Sequence, residues 1–257
     1  MARIRINKRK EYKEQLRMFV SLSNRVRNQI REFFKKYSNR ASREYIRNSK
    51  LSDNYYSDYY NDLLEILSRS SERIIEDVDI RLKRQRMTKQ NEEIDPIIKT
   101  YIAQFTAENV RNISATTRKT IQKEIELGIE AGLQISTIAS NIKKSGAFKP
   151  IRATLIARTE SHQAMNYGNT EVAKRLGLKK PIKEWASALD ERTRSWHSAM
   201  NGTRVDIDKD FTVQTPLKGG GVIDKPMSYP GDAKGGASNV INCRCFLLYY
   251  DSDDIVD

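Results

Sequence analysis

The sequence predicts an α+β protein: an elongated helical N-terminal region followed by a compact C-terminal α+β domain with a small sheet. Three observations predict it. Apolar residues recur at three- and four-residue spacing through most of residues 1–150. Pro150 then introduces a change of character, toward short elements separated by glycine and proline. Both histidines and both cysteines of the 257-residue chain fall after that change. The domain boundary is therefore drawn between residues 150 and 151, with a basic helical scaffold or arm before it.

The first element is a long amphipathic helix whose seam is Tyr12, Leu16, Phe19, Ser23, Val26, Ile30, Phe33 and Tyr37. A seam this long is expected to dock on a partner or to pack against the next helix. That helix runs from about Asp53 to Arg86, with Tyr59, Leu63, Leu67, Ile74, Val78 and Leu82 facing inward. Asp95-Pro96 reads as a helix start, because proline fits a first turn. A further helix over about 106–131 carries Val110, Ile113, Ile121 and Ile125, and the stretch LQISTIASNIKK forms a shorter one closed at Ser145-Gly146. After Pro150 one more helix ends at Gly177, a C-terminal cap. IKEWASAL and TRVDI read as strands and ERTRSWHSAM as a short helix between them. Residues 214–238 hold six of the 12 glycines and three of the six prolines, and are expected to be a long irregular loop. VINCRCFLLYY closes the domain as a β-branched and aromatic strand.

Charge is distributed unevenly. The chain carries a net +13, yet residues 1–50 alone hold 16 Lys and Arg against 4 Glu, and the remainder is close to neutral. Such an asymmetry favours contact with nucleic acid or with an acidic protein face. The candidate DNA contacts are Lys8, Arg9, Lys10, Lys13, Arg25, Arg27, Arg31, Lys35 and Lys36, which lie mostly off the apolar seam; the plainer reading is a solvated basic helix face. No long apolar run suggests a signal or a membrane span, so no membrane partner is expected. Two cysteines do not make a disulfide scaffold, and a reducing compartment is the default.

The C-terminal domain concentrates the side chains able to do chemistry. On a strand, Cys243 and Cys245 would share a face, and with His197 they would supply three ligands of a tetrahedral zinc site. The fourth ligand, His162 or Asp190, stays unnamed, and a disulfide across one residue runs against strand geometry. The favoured reading is that both cysteines are small buried core residues, with no cofactor and zinc as the alternative. In DERTRSWH, a helix would put Asp190, Arg194 and His197 on one face, an arrangement able to work on a phosphodiester. The alternative is a buried polar network. Arg158 and Glu160 of ARTES read as a pair locking their helix to the loop region.

Taken in order, LIARTESHQAMNYG, EWASALDERTRSWHSAMNG and INCRC resemble the phage Mu F-like minor head protein family, also called the phage head morphogenesis family. The similarity covers roughly residues 105–257. Its signature falls on Arg158, Thr159 and Glu160; on Trp185; on Asp190, Arg192, Thr193, Arg194, His197 and Gly202; and on Asn242, Cys243, Arg244 and Cys245. The resemblance implies a virion component of a tailed bacteriophage, at the capsid interior or portal vertex and in the host cytoplasm during assembly. It implies the portal protein and other head proteins as partners, with a part in head assembly and DNA packaging or ejection. No catalytic residue and no small-molecule substrate are expected. A nuclease-like, metal-independent enzyme domain delivered with the genome is the alternative, using Asp190, Arg194 and His197.

Overall fold

A computed structural model describes residues 7–86 and 93–251, and it is α+β. Six helices come first: α1 (Lys8–Asn48), α2 (Asp53–Arg86), α3 (Asp95–Tyr101), α4 (Ala107–Glu130), α5 (Ile135–Lys144) and α6 (Pro150–Lys174). Local chemistry sets their ends. The Lys10 amide donates to Asn7 Oδ1 at the start of α1, and the Tyr55 amide donates to Ser52 Oγ at the start of α2. A single π-helical turn, Ile102–Thr106, joins α3 to α4, so the expected helix over 106–131 is a continuation rather than a fresh start. Pro150 occupies the first position of α6, and Gly177 follows it at φ +67°.

The chain folds into two compact units, each assembled from separated segments. One comprises residues 24–71 and 100–158 and is wholly helical. Its core is aromatic: the Phe33 ring lies 4.6 Å from Tyr37 and 4.7 Å from Tyr59, with Tyr37 and Tyr55 edge-on at 5.7 Å. Within this unit the seam of α1 is thus covered by α2, which answers the expectation of partner docking or helix packing in favour of packing there. Arg152 reaches the same core and donates to Thr117 Oγ1 and to the Ala147 and Ile113 carbonyls. Gly128 lets α5 approach α4, because a Cβ there would sit 2.5 Å from Ile138.

The other unit comprises residues 1–23, 72–99 and 159–257. It holds β1 (Pro181–Ala186), α7 (Ser195–Ala199), β2 (Arg204–Asp206), β3 (Phe211–Pro216), β4 (Val222–Met227), α8 (Ala237–Val240) and β5 (Phe246–Asp251). An antiparallel sheet runs β2-β1-β5, pairing Trp185 with Leu247, and β3 with β4 form a separate hairpin. Helix α6 is buried on every side from Ser161 to Thr170, and several of its polar side chains find partners within the unit. Asn169 Oδ1 accepts from Arg81, and the Thr170 hydroxyl meets that of Tyr249 at 3.0 Å.

Two expectations fail here. Residues 214–238 are not an irregular loop, since they contain the second half of β3, all of β4 and the start of α8. Phe211, Val213 and Thr215 alternate inward on β3, and Gly220 and Gly221, both at positive φ, make its turn. The cysteines do not lie on a strand either. Strand β5 begins at Phe246, and Cys243 and Cys245 belong to the turn before it, where Asn242 takes φ +57°.

Candidate metal centre

Short-range turns, not strand alternation, bring the cysteines together. The Cys243 amide donates to the Val240 carbonyl, the left-handed Asn242 reverses the chain, and the Cys245 amide points at Cys243 Sγ, 3.5 Å away. Helix α7 supplies His197 opposite them. Its Nδ1 lies 3.5 Å from Cys243 Sγ and 3.7 Å from Cys245 Sγ, and all three residues are buried. Among the described residues this is the one cluster of three or more His, Cys, Asp or Glu able to hold a metal ion. Burial pushes the Cys243 thiol well up, while a hydrogen bond from Cys243 draws Cys245 well down.

A residue outside the signature orients the imidazole. Asn239 on α8 is fully buried, and its Nδ2 donates to Thr215 Oγ1 and the Gly235 carbonyl, each at 2.8 Å. Those two acceptors fix the amide, so Oδ1 faces the Trp196 Nε1–H at 2.7 Å and His197 Nε2 at 3.0 Å. Nε2 must then carry the proton, and the Nδ1 lone pair points at the two sulfurs. Ser187, just past β1, hydrogen-bonds the His197 carbonyl and lies 3.8 Å from Cys245 Sγ. Neither Asn239 nor Ser187 was singled out from the sequence, and nothing in a lone Asn or Ser distinguishes it before the chain is folded.

Of the remaining signature residues, Trp185 packs directly against this cluster. Trp185 is buried edge-on to His197 and to Phe211, at 5.5 and 5.3 Å. Gly202, at φ +83°, donates its amide to the Trp185 carbonyl. Arg158, Thr159 and Glu160 are half-buried on α6, and Thr159 Oγ1 accepts from the Asn242 amide at 3.3 Å. His162 turns away from the sulfurs and reaches the Cys245 carbonyl at 2.7 Å. Gly231 gives it room, for a Cβ there would meet His162 Nδ1 at 2.8 Å.

The expected catalytic face of Asp190, Arg194 and His197 is not formed. Asp190 precedes α7, and Arg194 is its capping residue. Both Asp190 oxygens bind Arg244, which holds that carboxyl below the usual range, and its Oδ1 also accepts from the exposed Arg192 amide. Arg194 donates to the Ile241 carbonyl at 2.7 Å. Arg192, Thr193, Arg194 and Asn242 join the cluster in lining a cavity of about 10 Å³.

The candidate DNA contacts lie along α1. Lys8, Arg9, Lys10, Lys13, Arg25, Arg31, Lys35 and Lys36 are exposed and Arg27 is half-buried. Lys8 is paired with Glu184 at 3.0 Å and Lys36 with Asp62 at 2.6 Å. No helix among the described residues is long and apolar enough to cross a membrane.

Comparison with known proteins places the signature in context. Residues 119–248 match the family described as Phage Mu protein F like protein. The minor head protein GP7 of Bacillus phage SPP1 is 32% identical over 130 residues, covering 50% of this chain and 39% of that protein. A protein of Enterococcus faecalis named NAD(+)–arginine ADP-ribosyltransferase EFV is 29% identical over 131 residues, covering 50% of this chain and 25% of its own length. The chain thus spans well under half of either relative. No solved structure matches.

Proposed function

Because the chain belongs to the Phage Mu protein F like family, we propose that it serves as a minor head protein of a tailed bacteriophage, incorporated with other head proteins during assembly. The observation that carries this reading is the match over residues 119–248, which includes the whole His197–Cys243–Cys245 cluster and nearly all of its bracing. The reading rests on the stretch shared with the SPP1 minor head protein, and not on the parts of either relative outside the matched stretch. Exposed Leu127, Ile129, Ile135 and Ile151 on the helical unit offer apolar surface to head proteins. The finer assignment is a place at the portal vertex, with a part in DNA packaging or ejection. In it, the outer face of α1 neutralises phosphates without reading sequence.

Replacing Arg9, Lys13, Arg25, Arg31 and Lys35 with Gln tests that assignment, since none of these five is required by the packing described. Binding of the intact protein to duplexes of unrelated sequence should be similar and weaken steeply with salt. The fivefold variant should bind weakly, with a shallower salt dependence. Equal binding by variant and parent removes DNA contact from the assignment. Heads that assemble and package normally without the protein remove the assembly role.

A further inference from the structure

We propose that His197 Nδ1, Cys243 Sγ and Cys245 Sγ bind one zinc ion, with a water in the adjoining cavity as fourth ligand. The distances carry the argument. Zn–S bonds of about 2.3 Å and a Zn–N bond of about 2.0–2.1 Å, set at tetrahedral angles, separate sulfur from nitrogen by about 3.5 Å. The observed separations are 3.5 and 3.7 Å. Two soft sulfurs and one imidazole form a donor set suited to zinc, and a tetrahedral arrangement excludes ions that demand octahedral oxygen.

The surroundings independently prepare each ligand. Asn239, with all four of its amide hydrogen-bonding positions used, holds the proton on His197 Nε2 and leaves Nδ1 free to coordinate. A carbonyl-type acceptor behind a ligand histidine is the usual outer-shell arrangement of metal sites. The Cys245 amide directed at Cys243 Sγ stabilises negative charge on that sulfur. On binding, the two thiol protons leave to solvent, and two thiolates with a neutral imidazole make the occupied site electrically neutral. The cavity of about 10 Å³ beside the three ligands has room for about one water. Zinc here is a clasp: it fastens α7 to the turn that leads into β5, in a region with few long elements.

The competing arrangement binds no metal. In it Cys243 donates its S–H to His197 Nδ1 and Cys245 donates toward Ser187 Oγ. The test starts from the full chain, expressed in zinc-supplemented medium and purified with a reductant and without chelator. Elemental analysis should find about one zinc per chain. Stripping the metal should lower the melting temperature, and zinc should restore it. Cobalt(II) added to the stripped protein should give the intense visible bands of tetrahedral coordination and a thiolate charge-transfer band in the near ultraviolet. His197→Ala, Cys243→Ser and Cys245→Ser should each lose the metal and the charge-transfer intensity. Since those variants could fail to fold, the decision rests on the parent protein. Folded parent chain that carries no stoichiometric zinc, takes up none after incubation and desalting, and melts at the same temperature with and without zinc overturns the proposal.

Discussion

The helical unit and the signature region of the other unit are both well packed, but different forces specify them. Around Phe33, Tyr37, Tyr55, Tyr59 and Leu63 the helical unit buries large apolar side chains on regularly spaced helix faces. Any contact there is one of many, and what counts is area and volume. Between Trp185 and Leu247 the chain instead satisfies particular donors and acceptors. Asn239 makes four hydrogen bonds, Arg244 grips Asp190, and three ligand atoms meet in one place. One region therefore tolerates changes of shape gradually, and the other depends on the identity of single atoms.

The largest effect should come from cutting into the first kind of packing. Leu63 is fully buried, so Leu63→Ala should cost about 2–5 kcal/mol in urea unfolding, combining lost burial with the cavity left behind. That cost should be the same at pH 7 and pH 9, because no titrating group is involved. The metal content should not change. A cost below about 1 kcal/mol would mean that apolar volume is not what holds the helical unit together.

The same contrast explains what could be read before folding. Helix periodicity is local, so the span of α2 from Asp53, its inward residues Tyr59, Leu63, Leu67, Ile74, Val78 and Leu82, and the start at Asp95-Pro96 were all legible. The α+β class followed from the change at Pro150. The β3–β4 hairpin was missed because the glycine and proline content of residues 214–238 outweighed a short alternation that was present in FTVQTP. The Cys–His grouping was foreseen by residue type, but for the wrong reason. Strand alternation does not operate at Cys243 and Cys245; the left-handed Asn242 does the work. The helix face expected to carry Asp190 and Arg194 is one that α7 is too short to provide. The partner of Asp190 is Arg244, 54 residues away, and such pairings leave no local trace.

A second, somewhat smaller effect belongs to the signature region. Asn239→Ala leaves the Trp196 and His197 ring N–H groups and the Gly235 carbonyl without their partner. It should cost about 2–4 kcal/mol, more than the few atoms removed can account for by area. If zinc is bound, the histidine is also no longer oriented, and zinc affinity should fall about 10- to 100-fold. Competition with a chromogenic chelator measures the second number and urea unfolding the first. A cost near that of an exposed residue would make Asn239 a passenger and blur the distinction between the two regions.

The smallest effect separates the regions by pH. Lys183 on β1 is 1% exposed, with Nζ donating to the Ser228 carbonyl at 2.8 Å and lying over the Phe211 ring. Burial lowers its pKa to about 8, with Lys174 acting in the same direction and Asp210, Asp208 and Asp232 opposing. In the unfolded chain a lysine titrates near 10.4. Between about pH 8 and 10.4 the unfolded chain therefore holds a proton that the folded chain has released, and stability rises with pH across that window. Below pH 8 the full cost of burying the charge is present. Lys183→Met removes that cost together with the bond to Ser228, so it should be more stable than the parent at pH 7 by about 1–2 kcal/mol, the loss of the bond offsetting part of the gain. The advantage should shrink as pH rises from 8 toward 10. Urea unfolding of both proteins at pH 7, 8, 9 and 10 measures the gap, and a gap that stays constant with pH would show that Lys183 keeps its ordinary affinity for the proton.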